Sequence, residues 1–242
     1  MDQQPTSGGR SLAAAGLAAA LAGTAAAAYL AWLPDVSELK TRNPMTTQYV
    51  GIYVRRMTRS GQKPATEMRW VPLVEMSPHL IKAVLIAEDD RFWRHRGVDW
   101  HELKAAVREN LRGRHGRGAS TISQQVARNL FLSPQRSYGR KLKEILLARH
   151  LERTLGKERI LEIYLNIVEW GQGVFGAEAA SRHYYEKSAA ELTAEEAVGV
   201  AAALPSPYER NPALPPDGRL LKLRRLYLQR LMKVEPLSVQ SE

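Results

Sequence analysis

The stretch SPHLIKAVLIAEDDRFWRHRG, residues 77–97, combines a helical pattern with an unusual acidic end. Ser77 can cap a helix, and Pro78 suits the first helical position. From Ile81 onward, apolar residues recur on one face at helical spacing, and Glu88 occupies the next position on that face. The stretch therefore predicts a core helix whose apolar face ends in a carboxylate.

Glu88 can be explained in two ways at this point. A buried carboxylate is costly unless it is paired, and burial raises its pKa, so such a group is a candidate general acid or base. Alternatively, Glu88 forms a structural ion pair with Arg91 or caps the turn that follows the helix. On this stretch alone, the structural explanation is favoured.

A second carboxylate lies in RKLKE, residues 140–144. Arg140 and Lys141 precede Glu144 by four and three residues, so the three side chains share one helix face. Between the two carboxylates, residues 116–131 begin with glycines and continue as a helix rich in hydroxyl and amide groups. A sugar-binding wall would carry such groups, whereas a core helix would not. The hydroxyl and amide side chains of this segment are Ser120, Thr121, Ser123, Gln124, Gln125 and Asn129.

Two carboxylates, a pair of cations and an amide-rich wall suit glycosyl transfer from a phosphate-linked donor. One carboxylate can deprotonate the attacking hydroxyl. Arg and Lys can stabilise the phosphate that departs. The residues indicate this reaction class, but they do not identify the sugar.

The composition of the 242-residue chain excludes some chemistry. Cysteine is absent, which excludes a disulfide framework, a thiolate metal site and a cysteine nucleophile. The 35 Lys and Arg residues outnumber the 25 Asp and Glu residues, and the formal charge of +10 indicates an anionic partner. Nucleic acid is not expected as that partner, because the basic run at 104–117 lacks aromatic residues and no nucleic-acid-binding module surrounds it.

The N-terminal residues 12–33 carry no charge and are long enough to cross a bilayer, which takes about 20 residues. Arg10 precedes this segment, and Tyr29 and Trp32 lie near its end. We therefore expect a cytoplasmic tail at 1–11 and a single transmembrane helix at 12–33. Twelve of the 22 residues are alanine, so insertion is only marginally favourable. A cleaved signal peptide and a soluble helix are the alternatives.

The remainder of the chain is predicted to be mainly α-helical. We expect a stalk and a short extended segment at 34–69, because residues 46–56 are rich in β-branched and aromatic side chains. A helical catalytic domain at 70–212 and a basic amphipathic C-terminal helix and tail at 213–242 follow. Helices after residue 97 are predicted at 139–155, 157–170, 193–205 and 218–234.

Several motifs occur in order along the chain: EDDRFWRHRG (88–97), GASTISQQ (118–125) with RNLFL (128–132), RKLKE (140–144), and KERILEIYLN (157–166) with GVFGAEAASRHYYEK (173–187). They resemble the glycosyltransferase domain that polymerises bacterial peptidoglycan, glycosyltransferase family 51, over about residues 70–212. The chain is most similar to the monofunctional biosynthetic peptidoglycan transglycosylases of that family, because the chain after residue 212 is short and a transpeptidase motif set is missing. Arg128 departs from many relatives, which have Lys there.

The resemblance implies a lysozyme-like helical domain with two lobes and a cleft between them. It implies that Glu88 deprotonates the GlcNAc 4-hydroxyl of lipid II, which attacks C1 of the terminal MurNAc, inverts that centre and releases undecaprenyl pyrophosphate. Glu144, Arg140 and Lys141 would lie at the pyrophosphate. No cofactor is evident, and a divalent cation, Mg²⁺ or Mn²⁺, is left open. The implied substrate-binding residues are Ser120, Thr121, Gln124, Gln125, Arg128, Asn129, Arg140, Lys141 and Asn166.

The same resemblance implies a single-pass protein of the bacterial inner membrane, with a cytoplasmic N-terminus and a periplasmic catalytic domain. Its expected partners are lipid II, the growing glycan strand, the membrane and other proteins of cell division or cell-wall synthesis. Two alternative functions remain open. A hydrolytic or lytic muramidase would need an acid for a sugar leaving group but no phosphate-binding cations. A non-catalytic membrane scaffold would not need intact Glu88 and Glu144.

Overall fold

The computed structural model describes residues 7–113 and 118–233. The outer parts of the two predicted tails, residues 1–6 and 234–242, lie outside the described residues, as does the basic segment 114–117. The described chain is mainly helical, as predicted. Its helices are α1 (Ser7–Ala31), α2 (Gln48–Arg59), α3 (Pro78–Glu88), α4 (Trp100–Leu111), α5 (Ile122–Phe131), α6 (Tyr138–Leu155), α7 (Lys157–Ile167), α8 (Ala177–Tyr185), α9 (Ala194–Ala203) and α10 (Gly218–Lys233).

A small sheet accompanies the helices. Strand β1 (Glu67–Met68) pairs in parallel with β3 (Val174–Phe175), and β2 (Glu169–Gly171) pairs antiparallel to β3. The strand order is therefore β1-β3-β2. The sequence pattern did not predict these strands, because each has only two or three residues and is too short to show an alternating pattern.

Helix α7 is shorter than predicted. It ends at Ile167 rather than at residue 170, because Val168 takes extended backbone angles (φ −67°, ψ 145°) and leads into β2. Gly173 then closes the β2–β3 turn with φ +79°. A Cβ atom at Gly173 would lie 2.6 Å from the Tyr53 hydroxyl, so the turn requires glycine for space as well as for backbone angle.

The core is formed by two groups of helices. Helices α5, α6 and α7 pack against one another, while α3 packs against α9 and α10. Helix α7 is buried around most of its circumference, and Ile160, Leu161 and Tyr164 are fully buried, as its apolar pattern predicts. Glu88 is the last residue of α3, so it lies where the first group meets the second.

The prediction of an extended segment at 46–56 is wrong, because α2 covers residues 48–59. The Thr47 hydroxyl accepts a hydrogen bond from the Val50 amide at 3.1 Å and caps the helix. Tyr53 is buried against the sheet, and α2 packs on α5. The cap and this packing outweigh the weak strand preference of the β-branched residues.

Ser77 occupies the N-cap position of α3, as predicted, but its side chain does not cap the helix. Its hydroxyl makes no capping bond to α3 and instead donates to the carbonyl oxygen of Leu192 at 2.8 Å. Pro78 does occupy the first turn of α3, as predicted. Thr193 and Glu196 form the predicted capping box at the start of α9.

Helix α1 covers most of the segment that is predicted to span a membrane. Within residues 7–113 and 118–233, no helix combines the length and the apolar character that crossing a membrane requires.

Lys143 connects α6 to the end of α1. It is 2% exposed, and its ammonium donates to the carbonyl oxygens of Tyr29, Leu30 and Trp32. The same nitrogen lies 5.1 Å and 5.5 Å from the ring centres of Tyr29 and Trp32. A cation at this end of a helix satisfies carbonyls that have no helical partner and opposes the negative end of the helix dipole.

Replacing Lys143 with Met should therefore release the end of α1 from α6. Met keeps an unbranched side chain but cannot donate to the three carbonyls, and we expect a loss of about 1–3 kcal/mol in the free energy of unfolding. Amide hydrogen exchange of residues 29–33 should become faster. Lys104→Met, at an exposed position of α4, is the control and should change neither quantity. Unchanged exchange in the Lys143 variant would show that the capping contacts stabilise nothing.

Candidate active site

Glu88 lies at the end of α3 and is held by a side chain of α5. The Gln125 amide nitrogen donates to Oε2 of Glu88 at 2.7 Å. Burial raises the pKa of Glu88, while the Gln125 hydrogen bond and the nearby Arg128 charge act in the opposite direction. Arg91 pairs with Asp99, with 3.1 Å between Nε and Oδ2, so the structural ion pair that was the alternative explanation for Glu88 does not form.

The orientation of Gln125 is fixed from its other side. The Tyr164 hydroxyl donates to Gln125 Oε1 at 3.4 Å, which directs the amide nitrogen toward Glu88. Tyr164 is fully buried, and burial together with the Glu88 charge raises the pKa of its phenol well above the ordinary range. Tyr164 therefore remains a hydrogen-bond donor, and it is a site residue that the sequence reasoning missed.

Asp89 ties the end of α3 to the start of α5. Its carboxylate accepts from the Ile122 amide at 2.9 Å, and it lies 2.9 Å and 3.0 Å from Nε2 of His95. The Thr121 hydroxyl donates to the carbonyl oxygen of Gly97 at 2.7 Å. The first two motifs are therefore joined by hydrogen bonds, which holds Glu88 against the amide-rich helix.

One cavity of about 710 Å³ gathers many of the predicted site residues. Its walls include Glu88, Ser120, Gln125, Arg128 and Asn129. Besides Tyr164, they include four further polar side chains that the sequence reasoning missed: Tyr49, Glu169, Tyr208 and Tyr227. These four come from α2, β2, the loop after α9 and α10, and only the folded chain brings them to one place.

Three predicted substrate-binding residues have other tasks in the structure. Thr121 and Gln124 form the capping box of α5, and Gln124 is 2% exposed. Asn166 is fully buried, and its amide group bonds to both backbone groups of Val71 at 2.8 Å and to the carbonyl oxygen of Glu162. The geometry favours a structural tie at Asn166 rather than a place in the cavity wall.

The RKLKE motif forms a cluster beside this cavity. Glu144 is 1% exposed, and both of its carboxylate oxygens accept hydrogen bonds from cations. Arg140 Nη1 lies 2.5 Å from one oxygen, and the Lys141 ammonium donates to the other. Lys141 also donates to the Ser120 hydroxyl at 2.9 Å, and Ser120 lines the cavity. Glu144 thus holds two cations beside each other, and Lys141 reaches the cavity wall through Ser120.

The structure does not provide an evident metal site at this cluster. Both Glu144 oxygens already accept from cations. Among the described residues, His, Asp and Glu side chains do not come together in a group of three or more that could hold a metal ion.

A cavity with a half-buried carboxylate and amide donors in its wall, and a cation pair beside it, has the parts of a glycosyl-transferring enzyme. Comparisons with known proteins identify the family. The family model described as transglycosylase matches residues 54–232, and the chain belongs to this family. The mainly helical fold fits such a domain, and the predicted class of peptidoglycan glycosyltransferase is confirmed.

Several relatives carry the name biosynthetic peptidoglycan transglycosylase. The relative from Dechloromonas aromatica (strain RCB) is 45% identical over 172 residues, which cover 70% of this chain and 74% of the relative. The one from Azoarcus sp. (strain BH72) is 46% identical over 186 residues, or 74% of this chain and 80% of the relative. The one from Rhodospirillum centenum (strain ATCC 51521 / SW) is 49% identical over 152 residues, or 63% of this chain and 66% of the relative.

The Gln125 hydrogen bond should set the pH range in which the enzyme works. Gln125→Leu removes a donor that stabilises ionised Glu88, so the pKa of Glu88 should rise further. If Glu88 is the general base, it is active when ionised, so the acidic limb of kcat/KM should move to higher pH in this variant. Rate profiles of the variant and the natural chain over the acidic range test this. A lower rate at every pH without a shifted limb would show that Gln125 does not tune Glu88.

Proposed function

We propose that this transglycosylase polymerises lipid II into glycan strands. The observation that carries the proposal is the partly buried Glu88, which shares a cavity wall with Ser120, the contact point of the Lys141 cation. A base in the cavity wall and a cation pair that reaches this wall through Ser120 suit a reaction in which a hydroxyl attacks a sugar and a phosphate departs. The raised pKa of Glu88 also suits a base, because a base is most effective when its pKa lies near the working pH.

The proposed step moves one proton and one glycosyl group. Glu88 accepts the proton of the GlcNAc 4-hydroxyl of lipid II as that oxygen forms a bond to C1 of the terminal MurNAc of the growing strand. The bond from C1 to the phosphate oxygen breaks, its electron pair stays on the phosphate, and undecaprenyl pyrophosphate leaves. Attack from the face opposite the leaving group inverts the configuration at C1.

Arg140 and Lys141 would stabilise the charge that develops on the departing pyrophosphate. Glu144 keeps both cations in place, since its two oxygens accept from them and its side chain is 2% exposed. This arrangement leaves Arg140 and Lys141 as the groups that touch the phosphate, with Glu144 as their positioning residue. Preorganised donors of this kind are worth far more in a partly buried site than in water.

A membrane setting follows from the proposed substrate, because lipid II is carried in a bilayer. We infer that the enzyme acts on the periplasmic face of the inner membrane and contacts anionic lipid through its positive charge. The single-pass topology at 12–33, the absence of transpeptidase activity, and partners in cell-wall synthesis, division or cell shape stay predictions.

Incubation of the purified full-length chain with labelled lipid II, in detergent and in liposomes, tests the proposal. A ladder of uncrosslinked glycan polymer is expected. Shortening of added glycan strands without polymer would instead indicate a muramidase, in which Glu88 would protonate the sugar leaving group. The cation cluster beside the cavity disfavours that second function, because a sugar leaving group carries no phosphate. If the chain forms no polymer and shortens no glycan strands, the result would indicate a non-catalytic protein.

A further inference from the structure

Glu169 is a second carboxylate in the wall of the cavity that contains Glu88. It begins β2, and its Oε2 accepts a hydrogen bond from the Tyr208 hydroxyl at 2.8 Å. Its Oε1 accepts a long hydrogen bond from the Gly173 amide at 3.4 Å. The proposed reaction step assigns no task to either Glu169 or Tyr208.

The surroundings of Glu169 leave its charge without a direct counter-ion. Among the described residues, no Lys, Arg or His side chain forms an ion pair with it; the guanidinium of Arg56 lies 5.8 Å from the ring centre of Tyr208 instead. Burial raises the pKa of Glu169, although the hydrogen bonds from Tyr208 and Gly173 and the more distant charge of Arg56 oppose the shift. A desolvated carboxylate that has only two donors retains acceptor capacity, since a carboxylate can accept about four hydrogen bonds.

Tyr208 supplies a complementary surface beside this carboxylate. It is 57% exposed, and its hydroxyl is directed to Glu169 while its ring lines the cavity next to Pro207. Ligand sites combine apolar or aromatic surface with a few placed polar groups, and this corner of the cavity has that composition. An uncharged ligand with hydroxyl or amide N–H donors fits it, whereas a phosphate would be repelled by the carboxylate.

The position of Glu169 and Tyr208, relative to Glu88 and to the cation cluster at Glu144, indicates which substrate they would contact. Glu88 must contact the attacking hydroxyl, and Glu169 lines the same cavity. The described residues that line this cavity do not include Arg140 or Glu144, and the cluster reaches it at Ser120. The sugar that carries the attacking hydroxyl would therefore lie close to Glu169, and the departing pyrophosphate would lie farther from Glu169.

We propose that Glu169 and Tyr208 form a binding subsite for the acceptor saccharide, in which the Glu169 carboxylate accepts a hydrogen bond from a sugar hydroxyl or an acetamido N–H. Tyr208 fixes the carboxylate and presents its ring to the sugar. The proposal rests on the proposed function for the choice of acceptor, but the saccharide chemistry of the subsite is independent of catalysis.

The test uses Glu169→Gln and Tyr208→Phe in the full-length chain. Initial rates with lipid II should show KM raised about tenfold in Glu169→Gln, with kcat changed little, since one hydrogen bond to a charged group is weakened. Tyr208→Phe keeps the ring and should raise KM less. Binding of chitotetraose, a GlcNAc oligomer without phosphate, should weaken in the same order when it is followed by NMR titration.

Two matched controls separate binding from folding. Glu191→Gln removes an exposed carboxylate that accepts from Ser188, and Tyr185→Phe removes a phenol hydrogen bond to the Pro212 carbonyl. Neither should change KM or chitotetraose binding. The subsite is overturned if the Glu169 and Tyr208 variants match the natural chain in both measurements. If the natural chain makes no polymer but binds chitotetraose through these two residues, the proposed function fails and the saccharide subsite stands.

Discussion

Glu88→Gln should reduce polymerisation of lipid II by about 10²–10⁴-fold, the usual cost of losing a general base. The amide has nearly the same shape as the carboxylate, and its oxygen can still accept from Gln125, so the fold should be kept. Chitotetraose binding should persist in the variant, which would separate a loss of chemistry from a loss of substrate. Polymer formation near the natural rate would remove Glu88 from the mechanism.

The same substitution should also stabilise the fold at neutral pH. Burial raises the pKa of Glu88 in the folded state, so ionisation of this group costs stability above that pKa. At a pH below the unfolded value of about 4.3, the group is protonated in both states and the cost is absent. The gain of Glu88→Gln in thermal unfolding should therefore be largest at neutral pH and fade in acid.

Glu191 provides a control of opposite sign for that measurement. Hydrogen bonds from the Ser188 side chain and amide lower the pKa of Glu191, so its ionised form favours the folded state. Glu191→Gln should therefore lose stability at neutral pH, where Glu88→Gln gains it. If both variants change the unfolding temperature by the same amount and in the same direction, the cause would be net charge and not the burial of the Glu88 carboxylate.

The sequence predicted the parts of the site that repeat at helical spacing. The apolar face that starts at Ile81 leads to Glu88 in the folded chain, and Arg140 and Lys141 do share a face with Glu144. Both patterns lie within a single helix, where spacing fixes which side chains are neighbours. Local reasoning was sufficient for them.

Local reasoning failed where distant segments decide the structure. The segment 46–56 has strand-like composition but becomes part of α2, because Thr47 caps it and α5 packs on it. Glu169 and Tyr208 are 39 positions apart and meet only after the sheet and the loop that follows α9 have formed. Neither residue carries a spacing signal that could have identified the pair.

The amide-rich helix shows a second kind of error. Its polar residues indicate the region of the candidate site, yet the composition could not divide them between binding and structure. Gln125 holds Glu88, whereas Gln124, one residue earlier, closes the capping box. The two side chains differ by about 100° around the helix, and only the start of α5 at Ile122 determines which one faces the cavity.

Glu144→Gln should reduce polymerisation by about 10²–10³-fold, comparable to the loss of an oxyanion-hole donor. Gln has one acceptor oxygen, so it cannot hold Arg140 and Lys141 together, and its amide nitrogen would face one of the two cations. Leaving two like charges beside each other in a buried site should also destabilise the fold, by up to about 3–5 kcal/mol. Thermal unfolding measured beside kcat separates the two effects.

A double-mutant cycle with Lys141→Met decides whether Glu144 acts through the cations. If Glu144 serves to position Lys141, removing the Lys141 charge takes away most of what Glu144 contributes, and the combined loss in kcat/KM should fall well short of the sum of the two single losses. Glu144→Gln with Glu191→Gln is the matched control and should be additive, because Glu191 is exposed and its hydrogen bonds to Ser188 lie within its own turn. Additive losses in the first pair would instead mean that Glu144 acts through Arg140 alone or contacts the substrate directly, and direct contact would require its buried carboxylate to exchange a cation for the ligand during turnover.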